Sequence, residues 1–441
     1  MATIVSSSIG SVDPGTEAFH YSTIALWEDA TDVDLRAGTG TDEQHDGKLI
    51  NETFSSAGTV ATIAGATTDA THYRRLTCMP GASFRDNANV QTNALRANAS
   101  NGAFVTSSAN AETLSGGETF FRMEGLQLEN THATGTSARA YRDTAGSPTI
   151  DFCIFSVVST GTTGAISTST GTYRNSLIEI RGSGATSALL CGNFATIACT
   201  NLTIVAPADL AAAPAQAITT AANGTVTFKN CGFFGFAALK SGTVNPTYTT
   251  CHDDLASPPT GVTQVTYANQ FENVNAATRD FRLKTGADMI DSGTTDATNA
   301  PIDIAGTARP EGAAYDTGCW ELVAAAGTTL SLDSGAVLYA GQTLKANLAI
   351  AIDSGAASYT GQALTLNAET VLELATAAIA YVGQALTINA ETILALAAGA
   401  VSYAGKSLGG IGALLDRIVR PIVRNIVRNI VRGLTEPGRI G

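Results

Sequence analysis

Four aspartates between positions 288 and 316 could provide acid–base chemistry, either as Asp288 with Asp291 or as Asp303 with Asp316. Glycosidases need two carboxyl groups on one face, about 5 to 10 Å apart. However, Asp291, Asp303 and Asp316 are each followed within two residues by Ser, Ala or Gly. In that setting Asp caps turns and pairs with a nearby Arg such as Arg309. We therefore expect turn capping here and assign no catalytic residue.

Two further groups carry side chains capable of chemistry. His72 lies beside Tyr73, but no Ser or Cys nucleophile is spaced near it, so we interpret this His as structural. The neighbouring Arg74 and Arg75 are expected to be solvated at a strand edge. The sequence CHDD at Cys251–Asp254 matches no site that we can assign.

The cysteines are the remaining candidate ligands, at Cys78, Cys153, Cys191, Cys199, Cys231, Cys251 and Cys319. None forms a CxxC pair, and tetrahedral zinc sites usually draw on such close pairs. Their odd number favours reduced thiols that pack as small apolar residues in a protein made in a cytosol. We predict neither a metal site nor a cofactor.

Composition limits the classes of partner. The net charge is −13, whereas nucleic-acid binding needs clustered Lys and Arg, so a general nucleic-acid role is excluded. No run reaches the roughly 18 apolar residues of a membrane span. The first residues also lack the basic region and apolar core of a signal peptide. We expect no membrane span and no cleaved export signal.

The elements that must position these residues are repeated strands. Five similar stretches, each with apolar residues alternating around a small one, cover Phe121–Leu128, Thr149–Phe155, Thr172–Ile180, Thr196–Val205 and Thr227–Phe236. Aligned on their small residues, they recur every 23 to 31 residues, which is a solenoid period. An isolated strand cannot bury its apolar side, whereas stacked parallel strands can. The pattern predicts a right-handed parallel β-helix.

An antiparallel β-sandwich is the alternative, because it also has many short strands and Gly-rich turns. The long polar tracts between the copies favour the solenoid over tight hairpins. The solenoid is also favoured by a small residue that recurs at the same position of each copy, namely Gly125, Cys153, Ser176, Thr200 and Cys231.

An amphipathic helix is predicted at Tyr21–Thr31, with Ser22 or Thr23 as its N-cap. Its apolar side would consist of Ile24, Leu26 and Trp27, and its outward side of Glu28 and Asp29. Such a helix would cover the open strand edge at the start of a solenoid. The sequence YSTIALWEDATDVDL, followed by GTVATIAGATTDATHYRRLT, resembles the N-terminal segment of a group of phage and bacterial β-helix proteins.

A second resemblance lies in ATRDFRLKTGADMIDSGT and APIDIAGTARPEGAAYDTGCWE, which are similar to the closing segment of many right-handed β-helix proteins. Two departures from that pattern are Ala287-Asp288, where Ser-Pro is usual, and Cys319-Trp320, where Ala-Tyr is usual. Both resemblances imply a fold more than an activity.

The sequence changes character after the second resemblance. Repeats of the type YxGQxL begin at Tyr339, Tyr359, Tyr381 and Tyr403, 20 to 22 residues apart, with Lys for Gln in the last. Between them, ALTLNAETVLELA and ALTINAETILALA predict paired strands that turn at Asn-Ala-Glu. Similar repeats occur in tailed-phage virion proteins. We predict these tyrosines to be partner-binding.

The last stretch, DRIVRPIVRNIVRNIVRGL, repeats Ile-Val-Arg four times. As a helix it sets Ile and Val against Arg420, Arg424, Arg428 and Arg432. From position 411 onward there are six Arg against two acidic residues, so the tail is basic while the rest is acidic. A membrane-surface helix is one interpretation. An anchor on an acidic partner surface fits better, and we predict these four arginines to bind it.

The sequence thus predicts a mainly β protein with an N-terminal cap (1–35), a β-helix (36–326), a β-repeat region (327–408) and a basic anchor helix (409–441). The resemblances imply a non-enzymatic structural component of a tailed-phage virion, made in the host cytoplasm. It would be a capsid decoration, head fibre, tail fibre or spike that binds other virion proteins through its C-terminal region. We expect a homo-oligomer, with a trimer favoured. The alternative is a tailspike-type lyase or glycosidase, and a host-surface glycan is a further candidate partner.

Overall fold

The computed structural model describes residues 2–86, 93–144, 146–161, 164–183, 185, 187–221 and 223–323, and the strands between 330 and 409. The chain divides into two compact units, Met1–Val323 and Ala324–Gly441. Both are built from parallel β-strands, as the sequence predicts for a mainly β, solenoid-like protein.

The first half of the first unit contains α1 (Ile24–Ala30), the short 3-10 helix η1 (Ala99–Asn101) and strands β1 (Thr3–Ile9), β2 (Phe19–Tyr21), β3 (Glu43–Leu49), β4 (Thr53–Ser56), β5 (Ala61–Ile63), β6 (Arg74–Cys78), β7 (Phe104–Ser107), β8 (Glu112–Gly116), β9 (Arg122–Glu124), β10 (Gln127–Asn130), β11 (Arg139–Asp143), β12 (Thr149–Asp151) and β13 (Ile154–Val157). The second half contains the 3-10 helix η2 (Tyr267–Asn269) and strands β14 (Ile166–Arg174), β15 (Leu177–Ile180), β16 (Ser187–Thr200), β17 (Thr203–Val205), β18 (Gln216–Thr220), β19 (Gly224–Lys229), β20 (Gly232–Phe234), β21 (Ala238–Gly242), β22 (Thr247–Thr249), β23 (Cys251–Asp253), β24 (Val262–Gln264), β25 (Phe271–Asn273) and β26 (Asp280–Leu283).

Most of these strands form three parallel ladders, and we call one circuit of the chain through all three a rung. The first ladder runs through β1, β3, β6, β9 and β12, and the second is the nine-stranded sheet from β4 to β24. The third runs through β5, β8 and β11. The long strands β14 and β16 belong to both the first and the third ladder and join them into one 15-stranded sheet. This parallel pairing is not that of an antiparallel sandwich.

One turn residue recurs between the first and second ladders in the left-handed conformation, which Gly and Asn adopt most readily. Its φ is between 45° and 71° at Gly125, Phe152, Asn175, Asn201, Asn230 and Thr250. This residue, rather than the small one, aligns the rungs. Cys153, Ser176 and Cys231 each follow it and are equivalent, as predicted. The predicted alignment is wrong for two copies, because Gly125 is itself the turn residue and Thr200 pairs with Lys229 before it.

The interior between the ladders is apolar. Successive rungs of the nine-stranded sheet place Leu128, Phe155, Ile178, Ile204 and Phe233 in one register column, and all five side chains are buried. All seven cysteines are unpaired and all but Cys78 are buried, as the packing interpretation predicts. Each rung thus contributes a few apolar side chains to one continuous core.

The N-terminal helix is shorter than predicted. Thr23 caps it by accepting a hydrogen bond from the Leu26 N–H at 3.1 Å. Ile24 and Trp27 are buried, and Gly47 leaves room for the indole ring, because a Cβ there would lie 2.6 Å from it. The predicted apolar role of Leu26 is wrong, since this side chain is 50% exposed. The first 35 residues also contribute β1 and β2 to the sheet.

Two charged side chains near this helix were also predicted wrongly. Arg74 is fully buried rather than solvated, and its guanidinium bonds to the Glu118 and Glu28 carboxylates and lies over the Trp27 ring. Glu28 therefore points toward Arg74, not outward. Arg75 is partly exposed and pairs with Asp46 on the neighbouring strand. A buried guanidinium needs such partners, so the helix is tied to the ladders through Arg74.

An outer layer covers the outward face of the nine-stranded sheet. Outward side chains of that sheet, such as Ile154, Leu177 and Phe234, pack in a second apolar cluster with Phe281 and Trp320. The outer layer consists of Phe84, of the chain from Leu95 to Ala97 and of the chain from Val265 to Leu322. The segment that resembles a closing segment therefore lies along the flank of the ladders.

The second unit has two four-stranded parallel sheets in its described residues. One contains β27 (Leu330–Leu332), β29 (Ile350–Ile352), β31 (Leu372–Leu374) and β33 (Leu394–Leu396). The other contains β28 (Gly335–Ala346), β30 (Gly355–Ala368), β32 (Ala378–Ala390) and β34 (Ala400–Gly409). The strands on either side of Asn-Ala-Glu belong to different sheets, so the predicted pairing of each strand with the next is wrong. Each strand instead pairs with its copy in the neighbouring repeat.

Candidate functional sites

The four candidate aspartates lie in or beside the outer layer and act as hydrogen-bond acceptors. Asp303 is fully buried. Its Oδ1 accepts the N–H groups of Ala305 at 2.9 Å and Thr307 at 2.7 Å, and its Oδ2 accepts the Glu321 N–H at 2.9 Å. Burial raises the pKa of the Asp303 carboxyl. The predicted turn capping is therefore confirmed at this residue.

Asp316 and Asp291 form a second set of caps. The Asp316 Oδ1 accepts the Asp291 N–H at 2.8 Å, and its Oδ2 accepts the Leu322 N–H at 2.6 Å. The Asp291 Oδ1 in turn accepts the Ala314 N–H at 2.9 Å. Asp288 differs, because its Oδ2 accepts the side-chain amide of Gln270 at 2.8 Å and not a backbone group. The arrangement holds turns together at three of the four positions.

Arg309 has a different carboxylate partner from the one expected. Its Nη1 donates to the Glu321 Oε2 at 3.0 Å and to the Asp316 carbonyl at 2.8 Å, while its Nη2 donates to the Gly318 carbonyl at 2.9 Å. Both side chains of this ion pair are buried. Burial raises the pKa of Glu321 to about 7, although the charge of Arg309 and two backbone N–H donors act to lower it.

The CHDD stretch does not form a single site, because strand alternation separates its members. His252 occupies an outward register position, beside Gly232, and Asp253 occupies an inward one, beside Phe233. Burial lowers the pKa of His252, and the Asp288 carboxylate opposes this change. Burial raises the pKa of Asp253 to about 6, and its Oδ2 has no hydrogen-bond partner. Two titratable groups on opposite faces of a sheet cannot act on one substrate.

His72 joins two loops. Its Nε2 lies 2.8 Å from the Asp42 Oδ1, and its Nδ1 lies 2.9 Å from the Asp69 Oδ1. These hydrogen bonds raise the pKa of His72, with Asp69 contributing most and Asp42 next. Two carboxylates stabilise the charged form of the imidazole between them, and the contacts link the loops that precede β3 and β6. This geometry agrees with the structural interpretation of His72.

The sequence analysis missed the contact that ties the outer layer to the ladders. The Arg279 Nε donates to the Glu179 Oε2 at 2.6 Å, and the Ala97 N–H donates to the Glu179 Oε1 at 3.2 Å. Glu179 is fully buried. A signal was present, because Ile154-Phe155 in β13 and Phe233-Phe234 in β20 put apolar residues at consecutive positions, on both faces of each strand. Such runs are typical of parallel strands covered on both faces.

The predicted partner-binding residues fall in the second unit. Tyr339, Tyr359, Tyr381 and Tyr403 are paired in register across the longer sheet, so the four copies share one position. Arg420, Arg424, Arg428 and Arg432 lie outside the described residues. What these eight residues bind stays a prediction.

In the described part of the chain, no group of three or more His, Cys, Asp or Glu side chains is arranged to hold a metal ion. The same part contains no helix with the length and apolar character needed to cross a bilayer.

Comparisons with known proteins found no relative. No protein-family model matches the chain, and neither does any characterised protein sequence or solved structure.

Proposed function

We propose that the protein is a non-enzymatic structural component of a tailed-phage particle, displayed on the virion surface. Its first unit would be a right-handed parallel β-helix. This fold is supported by the three parallel ladders, because most rungs contribute one strand to each of them. The two resemblances in the sequence, at the N-terminal helix and at the outer layer, support the phage origin.

The use of the candidate carboxylates carries the structural part of the proposal. Asp291, Asp303 and Asp316 all accept backbone N–H groups, and Glu321 is paired with Arg309 inside the outer layer. A general acid or base must reach its substrate within hydrogen-bond distance. Carboxylates that hold the backbone turns of the outer layer are instead suited to stability.

Assembly is proposed for the C-terminal region. Four repeats stacked in register leave β28 and β34 as outer strands of their sheet, and a parallel edge is a template for further pairing. Closed rotational symmetry satisfies identical surfaces together, and we favour a trimer. The protein would bind other virion proteins through this region, with a host-surface glycan as a further ligand. Unpaired cysteines suit synthesis in the host cytoplasm.

Two measurements test this function. Light scattering of the full chain should give a closed oligomer, and a chain ended at Gly327 should give a monomer. Purified particles should carry the protein, which antibody labelling under the electron microscope would locate on head or tail. Release of reducing sugar or unsaturated product from host polysaccharide, abolished by Asp288→Asn, Asp291→Asn, Asp303→Asn or Asp316→Asn, would overturn the proposal in favour of a depolymerase.

A further inference from the structure

Exposed apolar side chains are concentrated at the N-terminal end of the first unit. Six large apolar residues of the described chain are prominently exposed, and five of them precede residue 34, namely Ile4 (59%), Val12 (68%), Phe19 (53%), Leu26 (50%) and Val33 (40%). The sixth is Val323 (43%). Exposed apolar residues on neighbouring elements mark an interaction surface, whereas a single scattered residue does not.

Phe19 on β2 and Leu26 on α1 lie on elements that contact each other, and Val12 and Val33 lie in the loops beside them. Ile4 is on the other face of the sheet from Phe19, because Phe19 pairs with Ser7. β2 pairs with β1 and is the outermost strand of its sheet, and α1 packs against both strands. The loop before β2 is held in place, because the Ser11 hydroxyl donates to Glu52 at 2.6 Å and Lys48 pairs with Glu17 at 3.1 Å. We call this surface the N-terminal face.

The segment that forms the N-terminal face is acidic. Residues 1–35 contain six acidic side chains and no Lys or Arg. Three of the six have basic partners, since Glu17 pairs with Lys48, Glu28 with Arg74 and Asp34 with Arg36. The other three are Asp13, Asp29 and Asp32, all exposed, and Asp13 lies 4.0 Å from His20. An apolar surface with exposed carboxylates suits a basic apolar segment.

The chain itself contains a segment of that chemistry. Positions 417–432 carry five arginines and no acidic residue, with Ile-Val pairs between the arginines. No other stretch of the sequence combines so many basic charges with so many β-branched apolar residues. This acidic apolar surface and the most basic apolar segment of the same polypeptide are complementary in both charge and hydropathy.

We propose that the N-terminal face binds residues 417–432 of a second copy of the chain. The contact is heterologous, because a different surface is used on each copy, so repeating it closes a ring when the rotation between copies permits. The inference rests on the proposed assembly through the C-terminal region. It adds that the acidic surface recognised by the arginines is on the protein itself.

Photo-crosslinking in the full chain tests the contact directly. A benzophenone amino acid replaces Leu26 in ¹⁵N-labelled protein, which is mixed with unlabelled, unsubstituted protein and irradiated. Mass spectrometry should find crosslinks from position 26 to unlabelled peptides within 411–441. The same probe at Val323, an exposed apolar residue outside the face, should give no such product. Crosslinks that reach other regions, or stay within one copy, would overturn the proposal.

Self-association of full-chain variants gives a second readout that does not depend on a probe. Leu26→Ser and Phe19→Ser should each weaken association by about tenfold, because each removes buried apolar area. The matched control Val323→Ser should leave it unchanged. These positions are exposed, so folding is not expected to suffer.

The charged half of the face is tested in the same way. Asp29→Asn with Asp32→Asn should weaken association by about three- to fivefold and reduce its salt dependence. The control Glu272→Gln changes an exposed carboxylate elsewhere and should have no effect. A full chain that is monomeric at every concentration would end both this inference and the proposed assembly. An oligomer that all of these variants leave intact would end this inference alone.

Discussion

The interior of the ladders and the outer layer are stabilised in different ways. The interior consists of apolar columns in which each side chain meets its counterparts on the rungs above and below. The outer layer shares an apolar cluster with the sheet but also relies on single buried ion pairs, Glu179 with Arg279 and Arg309 with Glu321. The stability of the interior therefore comes from many apolar contacts that each contribute little. The stability of the outer layer depends more on a few ion pairs that each contribute much.

Breaking the Arg309–Glu321 pair should have the largest effect. Arg309→Met leaves the Glu321 carboxylate buried without its cation and removes two bonds to carbonyl groups. We expect a loss of about 3 to 5 kcal/mol in the free energy of unfolding, measured by urea denaturation. The double variant Arg309→Met/Glu321→Leu should recover part of it. If the single and double variants are equally unstable, the pair is not what holds the layer.

Arg279→Met tests the link between layer and ladders. It leaves Glu179 with the Ala97 N–H as its remaining donor, and we expect a loss of about 3 kcal/mol. Arg142→Met is the matched control, because Arg142 is 47% exposed and lies 3.9 Å from Glu112. Its loss should be below about 1 kcal/mol. Hydrogen exchange should accelerate in the outer layer and not in the interior strands. Faster exchange in both would show that the two regions unfold as one.

Asp253 places a titratable group inside the otherwise apolar interior. Its pKa of about 6 in the folded state, raised by burial from 3.8, means that folding favours the protonated carboxyl. The stabilisation is complete below about pH 4 and is lost as the pH rises through the folded-state pKa of about 6, by about 3 kcal/mol in all. The Asp253→Asn variant should not lose stability in this way as the pH rises. Because His252 is common to both proteins, the difference between their stability–pH curves isolates Asp253, and parallel curves would contradict the assignment.

The smallest effect is expected from a single methylene deletion in the interior. Ile204→Val removes one buried group from a column that continues on both sides, so we expect a loss of about 1 kcal/mol. Thermal unfolding followed by circular dichroism would measure it. A loss above about 3 kcal/mol would mean that single contacts dominate inside as well, and the contrast with the outer layer would disappear.

Much of the ladder architecture could be predicted, because stacked strands leave a periodic trace in the sequence. Cys153, Ser176 and Cys231 were aligned correctly. Gly125 and Thr200 were not, since the constant feature is a backbone conformation that Gly, Asn, Phe and Thr all adopt here. Burial of Arg74 could not be predicted either. Its partner Glu118 is distant in sequence, and a single sequence does not reveal which charges meet.

The candidate carboxylates show the same limit. Local turn chemistry correctly predicted backbone capping by Asp303 and Asp316, because a cap depends on nearby residues. It did not predict that the capped segment lies on the nine-stranded sheet, or that Glu321 would be the partner of Arg309. Those contacts depend on which surface the segment covers. The only local sign of that surface is the presence of apolar residues at consecutive positions in β13 and β20.

The outer layer also changes how the first unit should respond to tension. In a simple solenoid each rung touches only its neighbours, so a pull along the stack would peel rungs from one end in a series of small steps. Here the layer bonds to Glu179, Thr203 and Asn230, which belong to three different rungs. The layer therefore distributes the applied force among these rungs. Force–extension traces should show one large rupture, when the bonds between the layer and the ladders break, before any rung-by-rung extension begins.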